Sequence, residues 1–301
     1  MNIKVGKNGF FYAIAQGMLF GLVHVLIQSA VRGTAVSNET GLLIRFLVSS
    51  VVLLPAALRR IKQAALSKKL LWKTALASLG MLVTTLLLYA SYRYISTGMG
   101  VTLHYTYPIV TMVISVLFFR VKLNWQMLLS ITLSFAGIVF LCDMDTMGVS
   151  AALGAALALA SAVTFSCYLL WTEHQNLNSL DPIVLTALIS LFNSLGLLVY
   201  GGVRGSFSLA LSPRSAVLLC AGGLVGVLAM LALTLAIQRA GAVYTSILGT
   251  LEPITSTVGG ALILHETVRG PAVLGSALVV IAVVVATLSG RSKGQKESAA
   301  Y

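Results

Sequence analysis

Apolar residues in this chain come in long unbroken runs, not in the alternation of a half-buried strand or the single stripe of a soluble helix. The runs cover roughly 10–31, 39–58, 72–92, 97–119, 123–142, 149–171, 182–202, 214–237, 242–264 and 270–289. Each is close to the ~20 residues a helix needs to cross a ~30 Å hydrocarbon core. Lipid offers the backbone no hydrogen-bond partners, so segments of this kind must bond internally, as helices do. The connectors are short. The pattern therefore predicts an all-α integral membrane protein, one bundle of ten transmembrane helices, with a disordered cytoplasmic tail at 291–301.

Two of the runs are interrupted by polar residues and a proline: HYTYPIVTMVIS (104–115) and GTLEPITSTVGG (249–260). Laying Pro108 over Pro253 sets an offset of 145, close to half the chain. The same offset lays Phe20-Gly21 over Phe165-Ser166, Tyr89 over Thr234 and Thr111 over Ser256. The chain thus reads as two repeats, 1–146 and 147–290. Five helices per repeat is an odd number, so the halves insert in opposite orientations, the inverted arrangement of many secondary transporters.

Composition agrees with a lipid solvent. Hydrophobic residues make up 58% and charged residues only 9%, against about 25% charged in soluble domains. A formal charge of +12 would raise nucleic-acid binding in a soluble protein. Here the basic residues sit in connectors, and the bias has a side. Lys4, Lys7, Arg59, Arg60, Lys62, Lys68, Lys69, Lys73, Arg120, Lys122, Arg239, Arg291, Lys293 and Lys296 share the face of the N-terminus, with Arg32, Arg93, Arg204, Arg214 and Arg269 opposite, a bias strong in the first half and weak in the second. That bias predicts both termini in the cytoplasm and no nucleic-acid partner. The N-terminal basic segment and its apolar run, longer than a signal-peptide core, read as an uncleaved first span. Cys142, Cys167 and Cys220 are far apart and form neither a disulfide framework nor a metal site.

LIRFLVSSVVLL (43–54), YTYPIVTMVISVLFF (105–119) and LGTLEPITSTVGGALILHE (248–266) resemble the drug/metabolite transporter superfamily, in particular its EamA-type members. The resemblance implies ten helices and the export of amino acids or related metabolites. The pattern departs in places: His265-Glu266 stands where Gly-Glu usually closes helix 9, Arg120-Val121-Lys122 replaces an acidic residue after helix 4, and Phe20-Gly21 and Phe165-Ser166 stand for Trp-Gly.

Charges within the runs are few, chiefly Arg45 and Glu252, with His24 and His104 as ionisable companions. A charge at membrane depth costs about 2.5–3.5 kcal/mol, so it is expected to face a cavity or a partner. Gly249, Glu252 and Ser256 share one face of helix 9, and their repeat mates His104, Tyr107 and Thr111 share one face of helix 4. These six are predicted to be symmetry-related walls of a central pathway, with Pro108 and Pro253 kinking the helices that carry them. Glu252 has two readings. One makes it a proton-coupling carboxylate or a counter-ion for a substrate amine; the other makes it a structural partner, paired with Arg45. Arg45 is also long enough to snorkel outward. Gly17, Gly21, His24 and Gln28 form a stripe on helix 1, with the glycines suited to close packing and His24 and Gln28 as pathway candidates. Thr186, Ser190 and Asn193 form a polar face on helix 7, and Tyr89 and Tyr92 lie on helix 3, the latter near the membrane edge.

Enzyme signatures are missing from the sequence. His265-Glu266 opens like a zinc motif, but Arg269 stands where the second His belongs. There is no G-x-S-x-G elbow and no Gly-rich phosphate loop, and no cofactor is implied. The sequence predicts a secondary transporter of the cytoplasmic membrane, exporting small metabolites such as amino acids by alternating access, with protons as a candidate coupling ion. Two alternatives stand beside it: a carrier of quaternary or drug-like amines, and a non-transporting membrane sensor or assembly component.

Overall fold

The computed structural model describes residues 8–285 apart from 32–33, 62–66, 96–99, 101–102, 121–124, 142–150, 176, 209, 264–272, 276 and 283. His265-Glu266, Arg269, Cys142 and the 291–301 tail lie outside the described residues. In chain order the helices are α1 (Gly9–Val31), α2 (Asn38–Ile61), α3 (Lys68–Ser91), α4 (Tyr107–Phe119), α5 (Trp125–Leu141), α6 (Ala151–His174), α7 (Pro182–Arg204), α8 (Pro213–Gly249), α9 (Leu251–Ile263) and α10 (Val273–Ala282). Six of them, α1, α2, α3, α6, α7 and α8, are long and apolar enough to cross a membrane.

Local chemistry sets the helix ends. Asp181 caps α7 by accepting from the Ile183 N–H at 2.9 Å, with Pro182 in the first turn where its missing donor costs nothing. Ser212 caps α8 in the same way through the Ser215 N–H at 3.1 Å. Side chains such as Phe11, Val51, Trp72, Phe118, Trp125 and Val203 point outward and are exposed, the apolar surface that lipid requires.

Contacts at the two ends give each helix a direction. Gly9, at the start of α1, lies against the backbone of Arg239 and Ala240, whereas Ala30, near its end, accepts from Ser215 Oγ at 3.1 Å. At the Arg239 end, Gln238 Nε2 donates to Leu180 O and Lys73 Nζ to Gln175 O. At the Ser215 end, Thr40 pairs with Ser208, and Gly154 abuts Tyr94 and Ile95. It follows that α1 runs from the first face to the second while α6 runs back. The pairs α2 with α7 and α3 with α8 are opposed in the same sense, and all three pairs are mates at the 145 offset. Packing is exchanged between the halves: α1 lies mainly on α8 and α9, α6 on α3 and α4, and α2 on α7.

Two helices differ from the expected kinks. The run 242–264 is broken at Thr250, and the run 97–119 at Tyr105–Thr106. Pro253 and Pro108 fall in the first turns of new helices, α9 and α4, so each marks a break and not a bend within a continuous helix. The reason is the missing N–H. A proline cannot bond the carbonyl four residues back, here Gly249 and His104, and the helical ladder stops there. The two breaks are themselves related by the 145 offset. A third break, at Gly241 (φ 80°, ψ 166°), uses a backbone conformation that a side chain would strain. It separates the long part of α8 from residues 242–249, whose first N–H, on Ala242, is taken by Glu173 Oε2 at 3.0 Å.

Candidate functional site

The site begins with the glycines of α1. Gly17 faces the carbonyl and Cα of Gly249, and Gly21 faces the backbone of Glu252 and Ser256. A Cβ built at Gly21 would stand 2.6 Å from Glu252 O. Only glycine lets the two helices approach this closely, and one turn further on His24 then reaches Glu252: Nε2 lies 2.9 Å from Oε1, an ion pair when the imidazole is protonated. Glu252 sits in the first turn of α9, where the helix dipole favours a carboxylate. The Tyr105 hydroxyl faces the same carboxylate.

Around this pair is a cavity of about 50 Å³. Phe20 and His24 of α1, Arg45 of α2, Met81, Thr84, Thr85, Leu88 and Tyr89 of α3, His104, Phe165 of α6 and Glu252 of α9 line it. Both halves of the chain contribute walls. Phe20 and Phe165 are mates at the 145 offset and face each other's half across the cavity.

Arg45 is the unusual member. It is 4% exposed, with its guanidinium carbon 5.2 Å from the Phe20 ring centre and 5.1 Å from that of Phe46. Its Nε and Nη2 are buried and have no hydrogen-bond partner among the described residues. Two cation–π contacts supply about 0.5–2 kcal/mol each. Against them stand about 1–3 kcal/mol for every dry, unpaired donor and about 2.5–3.5 kcal/mol for a charge at this depth. The aromatic contacts orient the guanidinium but do not offset its burial.

The expected ion pair between Arg45 and Glu252 is therefore not formed; the carboxylate goes to His24. Nor does Arg45 snorkel, because Phe20 and Phe46 hold it inward. His104 is buried, and its Nδ1 is 2.9 Å from Ser161 Oγ. Ser161 donates its single hydroxyl proton to Ala158 O at 2.6 Å, so Nδ1 carries the imidazole proton and Nε2 is the ring's acceptor. The ring also meets Tyr105, Tyr107 and Phe165 with centroids 5.4–5.8 Å away.

The other predicted residues lie beside the cavity, not on it. Tyr107 and Thr111 belong to the seam of α4 with α6: Thr111 Oγ1 donates to Ser166 Oγ at 3.0 Å, and Ser166 Oγ bonds Tyr107 O at 3.0 Å. Gly249, the last residue of α8, and Ser256 of α9 lie along α1, and Ser256 Oγ bonds the carbonyls of Glu252 and Pro253. Gln28 is half-buried, one turn past His24. Asn193 is wholly buried on α7; its amide donates to Ile189 O at 2.8 Å and its Oδ1 has no partner among the described residues. Tyr92, expected at the membrane edge, instead turns its hydroxyl inward beside the Tyr89 ring. Of the α3 walls, Tyr89 is one the sequence singles out, whereas Met81, Thr84, Thr85 and Leu88 are not, although Thr84-Thr85, a polar pair in the middle of an apolar run, is a visible signal. Thr84 Oγ1 bonds Thr164 Oγ1 at 2.8 Å and so ties α3 to α6.

Comparison with known proteins adds the family. The model of the EamA-like transporter family matches residues 7–142 and again residues 152–288. No curated protein sequence matches the chain. A solved crystal structure of a protein is similar to it with a TM-score of 0.77 and 17% identity, over 95% of this chain and 98% of that one; at this identity the likeness is one of fold. With the family's unit present twice, over nearly its whole length, the chain belongs to the EamA-like transporter family of the drug/metabolite transporter superfamily.

Proposed function

We propose that this protein is a secondary transporter that moves small metabolites, amino acids among them, out of the cell by alternating access. On this reading ten spans form two inverted five-helix repeats, 1–146 and 147–290, in the cytoplasmic membrane, with both termini and the 291–301 tail in the cytoplasm. The observation that carries it is the charged cavity shared by the two halves, where Arg45, from the first, and Glu252, from the second, line one space. Rocking one half against the other would expose that space to each side in turn. The His24–Glu252 pair is the candidate site of proton coupling, since a carboxylate 2.9 Å from an imidazole nitrogen can exchange a proton with it.

A carrier of quaternary or drug-like amines would draw on Glu252 and on the aromatic walls at Phe20, Tyr89 and Phe165. The Arg45 guanidinium in the same cavity weighs against it. The test is flux in liposomes. Purified protein should move labelled amino acids out of preloaded vesicles, faster under an imposed proton gradient, and Glu252→Gln should abolish the gradient's effect. Flux equal to that of empty vesicles for every amino acid and amine tried would reject transport in favour of a sensor or assembly role.

A further inference from the structure

We propose that Arg45 anchors a carboxylate of the ligand, and that the cavity selects small zwitterions over amines that lack an acid group. The site itself stands on the residues that line it; only the ligand's passage across the membrane rests on the transport reading.

Two fixed charges line the cavity, and they are not equally engaged. The Glu252 carboxylate is held by His24 at 2.9 Å. Arg45 has no ion pair among the described residues, and two of its three nitrogens are buried without a hydrogen bond. The charge left to be answered is positive. A guanidinium is a planar fork that matches a carboxylate with two parallel bonds, and the rings of Phe20 and Phe46 restrict how the fork can turn.

Glu252 then narrows the class of anion. A doubly charged phosphate on Arg45 would meet a carboxylate across the same small space. A single negative charge accompanied by an ammonium would not, because a carboxylate has about four lone-pair sites, and the His24 bond leaves others for an ammonium. Volume narrows it again. About 50 Å³, a third of the ~150 Å³ that holds the six heavy atoms of benzene, leaves no room for an aromatic side chain, and even L-alanine, also six heavy atoms, requires the site to widen. The repeat also sets the ligand's direction. At the 145 offset the mates of Arg45 and Glu252 are Ser190 and Tyr107, which are uncharged, so the two halves are not interchangeable and the ligand binds one way round.

The experiment compares an acid with its own amide and amine. Thermal unfolding of the detergent-purified protein would be followed with glycine, L-alanine, L-alaninamide, ethylamine and inorganic phosphate, each up to about 100 mM. L-Alanine and glycine should raise the midpoint while the amide, the amine and phosphate do not. Arg45→Lys should weaken the apparent affinity by about 10-fold and Arg45→Gln by about 100-fold. Without ligand, Arg45→Met should unfold no earlier than the wild type, since it removes an uncompensated buried charge. A shift with L-alaninamide, ethylamine or phosphate as large as that with L-alanine would overturn the proposal. So would a shift that persists in Arg45→Gln, or no shift with either amino acid. The acid–amide comparison on the wild type needs no variant to fold. Stabilisation by acids with no flux in liposomes would sink the transport reading and leave the Arg45 site standing. Flux of the amide as fast as of the acid would do the reverse.

Discussion

Replacing Gly21 with alanine adds a single methyl group, and the structure says where it goes. The new Cβ would lie 2.6 Å from Glu252 O, 2.7 Å from Thr255 Cβ and 3.0 Å from Ser256 N. Two of these atoms are backbone, so no side chain can rotate away to make room. Reaching an ordinary contact of about 3.4 Å requires α1 and α9 to separate by roughly 0.8 Å near Glu252. Overpacking of this kind costs about 1–3 kcal/mol. The better helix propensity of alanine returns about 0.8–1 kcal/mol of it. The net expectation is a loss of up to about 2 kcal/mol, and the separation also stretches the 2.9 Å His24–Glu252 contact beyond hydrogen-bond range. Gly202 provides the control, because a Cβ there meets nothing within 4 Å. Gly202→Ala should be neutral or stabilising by up to about 1 kcal/mol. Equilibrium unfolding of both variants in mixed micelles, with flux measured in parallel, checks the pair. If Gly21→Ala is as stable as Gly202→Ala and transports like the wild type, the close seam of α1 with α9 does not position His24 on Glu252.

Gly249→Ala should be milder than Gly21→Ala in the same unfolding assay, with a cost below about 1 kcal/mol: its Cβ would meet the Tyr107 hydroxyl and Gln16 Nε2, both the far ends of side chains that can swing aside. Ser161→Ala removes the acceptor of the buried His104 Nδ1–H and should destabilise by about 1–3 kcal/mol, with ligand binding weakened as His104 shifts on the cavity wall. The partners of the 2.8 Å Arg60–Asp181 pair should respond unequally. Arg60→Ala is expected to cost at most about 1 kcal/mol, whereas Asp181→Ala also uncaps α7 and should cost about 0.5–2 kcal/mol more; equal effects would show that the cap contributes nothing.

Much of the frame was legible in the residue order. The 145 offset read from Pro108 and Pro253 also relates the helix breaks at Tyr105–Thr106 and Thr250, because a proline's missing N–H acts on its own helix four residues back. Gly17, Gly21 and His24 form a stripe by helical spacing alone, and the structure lays that stripe on the end of α8 and the start of α9. Less could be read of the partners. Arg45 and Glu252 were natural to pair as the two clear charges within the spans, yet Glu252 meets His24, far away in sequence, and Arg45 meets two phenyl rings. Asn193 looked like pathway lining and lies between helices, its amide bonded to Ile189 O.

The residue order by itself determined that the solvent is lipid, that the segments are helices, that the halves repeat, and that prolines interrupt two of the runs. These follow from local rules: run length against bilayer thickness, the internal bonding of a backbone in hydrocarbon, and the chemistry of proline. Which face meets which was decided only in the tertiary structure. A side chain's place around its own helix follows from spacing, but its neighbour across a seam depends on how two helices, hundreds of residues apart in the chain, rotate and slide to bury the smallest gaps. Gly21 against Glu252 is such a seam: it sets His24 on the carboxylate, and Arg45 is left without an ion pair among the described residues.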